Sequence, residues 1–333
     1  STYRNSYLVL PETNGVTPKD FAFVYYPVVL DNRWHGVFHL IYIRRMPDAS
    51  DKTIGHAWSD DLTTWSVDTS FFAPDAGTPG AFDRQSVWAP SVVKNGPDFY
   101  MFYAGRDDSL NQRLGRVRSD RLDTLATWVD RKMVFAADST SWVSRHPLAT
   151  YNRADQMRDP FVMPDPDSAG RYLMVYTALD SLWKSDNGHS VGLARNRAGS
   201  LDRWLDRGRY GITNFKYSGI GQVEGPHLFN NPDSTKWFVM YSWGGDHAAN
   251  QISRFSMDST NATTVADTAT IHWGSREFLF NYLGSDSTAT GLQGTEHLRV
   301  SKWDFLAGFN SYVVDGIQIA LMNWSNDSTF TLQ

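Results

Sequence analysis

No stretch of the chain holds apolar residues at the 3.6-residue spacing of a helix face. Short runs rich in β-branched and aromatic residues recur instead. Gly, Asn, Asp and Pro bound them, the pattern of strands separated by turns. Four runs carry a Pro inside a strand-like opening: YYPVVL at Pro27, WAPSVV at Pro90, RDPFVM at Pro160 and EGPHLF at Pro226. These prolines are 63, 70 and 66 residues apart. After each comes a second apolar run that reaches Tyr42, Tyr103, Tyr176 or Tyr241. In three units a third element ends in Trp65, Trp128 or Trp204. One further period reaches GTEHLRV, Gly294 to Val300, without the Pro. The runs SYVVDG and IQIALM are its nearest second strands, and both fit poorly.

A unit of about 65 residues with three or four strands is the size of a propeller blade with long loops. Five such units predict an all-β, five-bladed β-propeller, one domain over residues 1–333. Two separate β domains are the alternative, and the even spacing counts against them. Pro is tolerated at the first residue of a strand or where its missing N–H has no partner. That places the four prolines at the mouth of a central channel. The extended run at residues 6–10 is expected to add an outer strand to the last blade and so cover an edge. A Trp repeated at one place in several blades reads as core packing.

Composition narrows the function classes. The chain has 333 residues, 41% apolar, which permits a substantial core. Its 13 Trp, 15 Tyr and 19 Phe favour β structure and suit sugar-binding clefts, where rings stack on C–H faces. A net charge of −5 gives no general reason to bind nucleic acid or an acidic membrane. The longest apolar run near the N-terminus, FAFVYYPVVL, falls short of the roughly 20 residues a membrane span needs. With no Cys, disulfides, thiolate metal sites and Cys nucleophiles are excluded. STYRNS at the start is compatible with a mature terminus, so a secreted or periplasmic location is expected.

Acidic residues carry the candidate chemistry. Of 36, only four are Glu: Glu12, Glu224, Glu277 and Glu296. Glu224 stands one Gly before Pro226 at the start of an apolar run, and Asp159 directly precedes Pro160. A charged group beside buried surface must be paired, coordinated or used.

The RDP, EGP, VWAP and GHAWSDDLTTW stretches resemble the five-bladed propeller glycoside hydrolases of families 43, 32, 62 and 68. GHAWSDDLTTW with FHLIY is similar to family 32; VWAPSVV is more like family 43. The resemblance implies a glycosidase acting on a carbohydrate, with furanose-type glycosides the expected substrates. It also implies three carboxylates at the channel mouth: a first-blade Asp as base or nucleophile, a third-blade Asp that holds substrate and tunes its neighbour, and a fourth-blade Glu as general acid. Asp159 matches the second and Glu224 the third. At the first position such enzymes read Asp-Pro, whereas this chain reads Tyr26-Pro27.

Glycosidic cleavage normally uses two carboxyl groups, one protonating the leaving oxygen and the other activating water or attacking carbon. Burial and a like charge keep the acid protonated. Asp159 supplies the like charge, and Arg158 is read as keeping Asp159 ionised or as binding substrate hydroxyls. Four readings cover the missing group. Another carboxylate takes its place, with Asp31, Asp20 and Asp83 nearest in sequence and Asp83 preferred. Tyr25 or Tyr26 is itself the nucleophile, as tyrosines are in sialidases, or else one of the aromatics that contact substrate. Substrate or an inorganic anion supplies the group. Or the propeller binds carbohydrate without cleaving it. A transferase, phosphorylase or lyase on the same scaffold is a further alternative. Trp88 is a candidate stacking platform, and His227 is placed to face the channel. No cofactor is required. His297 is the positional match for a family 43 histidine that helps hold an axial cation, so an axial Ca²⁺ is the one metal expected.

Overall fold

A computed structural model describes residues 7–9, 12, 14–30, 33–48, 50–123, 126–145, 154–183, 188–213, 221–245, 254–260, 264–269, 271–274, 277–278, 293–310, 316–327 and 329–332. A short strand, β1 (Tyr7–Val9), precedes four sheets of consecutive antiparallel strands. The first holds β2 (Thr17–Leu30), β3 (Arg33–Arg45), β4 (Asp51–Ser59) and β5 (Ser66–Phe72). The second holds β6 (Ser86–Asn95), β7 (Asp98–Arg106), β8 (Gln112–Ser119) and β9 (Val129–Phe135). The third holds β10 (Met157–Pro164), β11 (Tyr172–Leu179), β12 (His189–Asn196) and β13 (Trp204–Thr213). The fourth holds β14 (Gly221–Asn230), β15 (Trp237–Gly245), β16 (Arg254–Thr260) and β17 (Glu277–Phe278). The rest are β18 (Gln293–Val300), β19 (Trp303–Asn310), β20 (Gly316–Trp324) and β21 (Phe330–Leu332). They form one sheet with β1, which pairs antiparallel with β20 through Tyr7 opposite Ile319.

The architecture is an all-β propeller. The leading strands neighbour one another in a closed order: β2 by β6, β6 by β10, β10 by β14, β14 by β18 and β18 by β2. They are the inner strands around an axis. The expectation of a five-bladed propeller with blades of about 65 residues is corrected. Four blades have the expected build of four consecutive strands. The remaining sheet is a five-stranded composite that draws on both ends of the chain. IQIALM, weighed above as a second strand, lies in β20, the third; the second is β19.

The apolar cores lie between sheets, one at each boundary. Phe102, Tyr176 and Trp204 join the second and third sheets. Val175, Tyr210 and Val239 join the third and fourth. Ile54, Phe71 and Met101 join the first and second. Phe23, Tyr42 and Ile319 join the first to the composite sheet, and Phe238, Met240 and Met322 join that to the fourth. The recurring tyrosines have a shared role. Tyr42, Tyr103 and Tyr176 lie opposite Gly55, Gly115 and Gly192 on the third strand. Their hydroxyls donate to Glu12 (2.8 Å), Asp83 (2.8 Å) and Asp206 (3.2 Å). Each glycine makes room for a ring: a Cβ at Gly192 would lie 2.4 Å from Tyr176 Cζ. No helix among the described residues is long and apolar enough to cross a membrane.

Candidate active site

Each inner strand breaks its ladder once, at corresponding places. The register shifts fall between Lys19 and Phe21, Trp88 and Ser91, Arg158 and Phe161, Glu224 and His227, and Gln293 and Glu296. At each break one residue has positive φ: Asp20 (28°), Ala89 (46°), Asp159 (54°), Gly225 (58°) and Gly294 (53°). A bulge of this kind bends the strand and re-aims a side chain. A non-Gly residue held at positive φ costs about 1–3 kcal/mol and persists where its surroundings fix it. The five breaks meet at an open pocket. Asp20, Asp159 and Glu296 line it, with Phe21, Phe161 and Thr295.

Arg158 ties the acidic groups together. It is buried, donates from Nη2 to Glu224 Oε1 (2.9 Å), and has Nε 3.7 Å from Asp159 Oδ2. Its Nη1 donates to Gln156 Oε1 at 3.1 Å, and His189 Nε2 lies 2.9 Å from that same oxygen. Burial works against the guanidinium charge, but Glu224, Asp159 and Asp20 outweigh it and raise the Arg158 pKa. Asp159 also accepts the Gly225 N–H at 3.1 Å. Arg158 was read from sequence as keeping Asp159 ionised. Burial overcomes it, with Glu224 and Asp20 adding like charge, and the Asp159 carboxyl is pushed up to about 7. The Glu224 side chain is 43% exposed, at the rim beside Gly225 and Pro226.

Of the residues singled out in the sequence, Asp159, Arg158 and Glu224 come together here. Trp88 stands one residue before the second-sheet bulge, with the Arg106 guanidinium 5.2 Å from its ring centre. Tyr26 does not occupy the first-sheet position. Six residues beyond Asp20 on β2, it lies roughly 20 Å along the strand. There it packs edge-on against Phe99, 5.1 Å between ring centres. Tyr25 packs on Phe38 on the other face of β2. Neither reaches the pocket as a nucleophile or substrate contact. Asp83 is also corrected: it is fully buried in the second blade, paired with Arg131 and accepting the Tyr103 hydroxyl. Asp31 lies outside the described residues.

The carboxylate that the sequence preference overlooked is Asp20, the first-sheet counterpart of Asp159 at the bulge. His227 is buried, with its ring 3.9 Å from that of Phe161, and does not line the pocket. His297 turns into the composite sheet, with Nε2 2.8 Å from Asp304 Oδ1 and its ring stacked on Phe229. Burial pushes its pKa down to about 4. Among the described residues no three His, Asp or Glu side chains group as a metal site. The residues therefore do not fit a Ca²⁺ held by His297.

Several solved structures share this architecture. An α-L-arabinanase from Cellvibrio cellulosa, complexed with arabinohexaose, has a TM-score of 0.62 and 14% identity over 96% of each chain. The endo-arabinase of Bacteroides thetaiotaomicron gives 0.62 at 13% identity, over 95% of this chain and all of its own. The β-fructofuranosidase BmSUC1 of Bombyx mori gives 0.63 at 16% identity, over 95% of this chain and 62% of its own. No curated protein matches the sequence. Residues 27–286 match the N-terminal domain of glycosyl hydrolases family 32. The chain belongs to that family, and it is a glycosidase.

Proposed function

We infer that this glycosidase hydrolyses furanosidic linkages with Asp20, Asp159 and Glu224 as its working carboxyl groups. Arabinanases and a fructofuranosidase among the structural neighbours support the substrate class. The observation that carries the assignment is the shared bulge: Asp20 and Asp159 hold the same strained position on the inner strands of the first and third blades, with Glu224 next to the break in the fourth. Glu224, at the open rim, protonates the leaving oxygen as the glycosidic C–O bond breaks. Asp20 supplies the second carboxylate, which attacks the anomeric carbon or takes a proton from the attacking water. Water's oxygen ends on the anomeric carbon with one of its protons; its other proton restores Glu224, directly in the covalent route and by way of Asp20 and solvent in the direct one. Asp159, half protonated near neutral pH, holds ring hydroxyls as donor or acceptor and sets the local charge.

A binding-only propeller was motivated by the missing first-blade carboxylate, and Asp20 removes that motive. The test is release of reducing sugar from sucrose and from 1,5-linked arabino-oligosaccharides. Asp20→Asn and Glu224→Gln should each lower turnover by about 10² to 10⁴ at unchanged melting temperature. An Asp20→Asn variant close to wild-type activity sinks the assignment. Running the assay with and without inorganic phosphate separates hydrolysis from phosphorolysis.

A further inference from the structure

One carboxylate of the pocket has no part in the cleavage just described. We propose that Glu296 is a specificity residue: held from behind by His227, it accepts hydrogen bonds from adjacent hydroxyl groups of the bound sugar. The proposal rests on the reading of this pocket as the glycoside site.

The backbone fixes the His227 tautomer. The N–H of His297 donates to His227 Nε2 at 3.1 Å, so that nitrogen is the acceptor and the proton of the neutral ring sits on Nδ1. Nδ1 is buried, makes no well-aligned hydrogen bond, and lies 3.3 Å from Glu296 Oε2. Phe161 packs against the ring at 3.9 Å between centres, so the imidazole cannot swing away. A small movement of the Glu296 arm completes the bond and leaves its second oxygen turned to the pocket. Thr295, the preceding residue, also lines the pocket. A carboxylate with one oxygen held by His227 offers the lone pairs of the other to two donors. Two neighbouring hydroxyls of a sugar ring complement that arrangement.

The probes are free D-fructose and L-arabinose, titrated into the whole chain with dissociation constants read by ligand-observed NMR. Glu296→Gln should weaken binding of at least one of them by roughly 10- to 100-fold, the worth of a charge-assisted hydrogen bond. Its melting temperature should not change. His227→Phe keeps the ring but loses the donor and should weaken binding too. His227→Asn, which returns an N–H near the Nδ1 position, should recover part of the loss. Gly77→Ala, whose added Cβ meets nothing within 4 Å, should bind both sugars as wild type does. Glu296→Gln binding as tightly as wild type overturns the proposal, as does a wild-type chain that binds neither sugar. If Glu224→Gln remains fully active, the acid assignment fails, while Glu296 is still decided by binding.

Discussion

Replacing Asp159 by Asn should stabilise the protein at pH 8 while destroying its activity. The Asp159 carboxyl moves from 3.8 to about 7 on folding. An acid whose folded pKa is the higher one binds more protons folded than unfolded between the two values. Stability therefore falls as pH rises through that window. A shift of that size corresponds to about 4 kcal/mol. The side chain keeps 11% exposure and Arg158 can adjust, so about 2–4 kcal/mol is the expected penalty above pH 7. Asn cannot ionise, and its Oδ1 still accepts the Gly225 N–H. At roughly 2.1 cal/mol/K per residue of unfolding entropy, the gain is about 3–6 °C in melting temperature. The assay is thermal melting of wild type and variant at pH 5 and pH 8. His39 and His297, pushed down from 6.5 to about 4 by burial, act in the opposite sense. They cost stability as pH falls below about 6.5, because the unfolded chain takes up protons that the folded one refuses. Both proteins contain them, so the difference between variant and wild type isolates Asp159. A difference that is the same at pH 5 and pH 8 refutes the reasoning.

Two further substitutions separate architecture from chemistry. Asp83→Asn removes the partner of Arg131 and weakens the acceptor of the buried Tyr103 hydroxyl, so it should cost about 2–4 kcal/mol while the folded fraction keeps its turnover number. A large fall in turnover with an unchanged melt would return Asp83 to the site. Gly192→Ala puts a Cβ 2.4 Å from Tyr176 Cζ and 2.6 Å from Trp142 Cζ2 and should destabilise by about 1–3 kcal/mol. Gly77→Ala meets nothing within 4 Å and is the control; equal chemical-denaturation midpoints for the two would contradict the packing.

The repeat was legible because the same physical demand recurs in each blade. A buried Tyr on the second strand and a short apolar inner strand leave a pattern that survives divergence. Asp159 and Glu224 were legible because a Pro follows the bulge, at Pro160 and Pro226. In the first sheet that marker misleads. Its bulge is followed by Phe21, and Pro27 lies far along an unusually long strand: β2 has 14 residues, against 8 to 10 in the other inner strands. Even spacing measured from prolines therefore selects Tyr26. The family match starts at residue 27, past Asp20, so it gives no help there. The surviving signal is local: KDFAFV sets an Asp directly before an apolar run, as RDPFVM does. The turn of His297 away from the axis was not legible. It depends on Asp304, across the β18–β19 hairpin.

An inner strand is the edge of its sheet, so half of its N–H groups face no neighbouring strand, and such edges need partners. Side chains of the preceding sheet take them. The Val162 N–H donates to Ser91 Oγ, that of Gly225 to Asp159 Oδ2, that of Gly294 to Ser242 Oγ and that of His297 to His227 Nε2. Each of these bonds crosses a boundary between sheets. Asp159 and His227 thus join neighbouring sheets, and Asp159 lines the pocket with the same side chain. A contact made at the Asp159 carboxyl would act on the register of two sheets at once. That coupling is why the pocket lies where the strands break: a regular ladder would satisfy the backbone along each sheet, but it would leave nothing aimed at the axis.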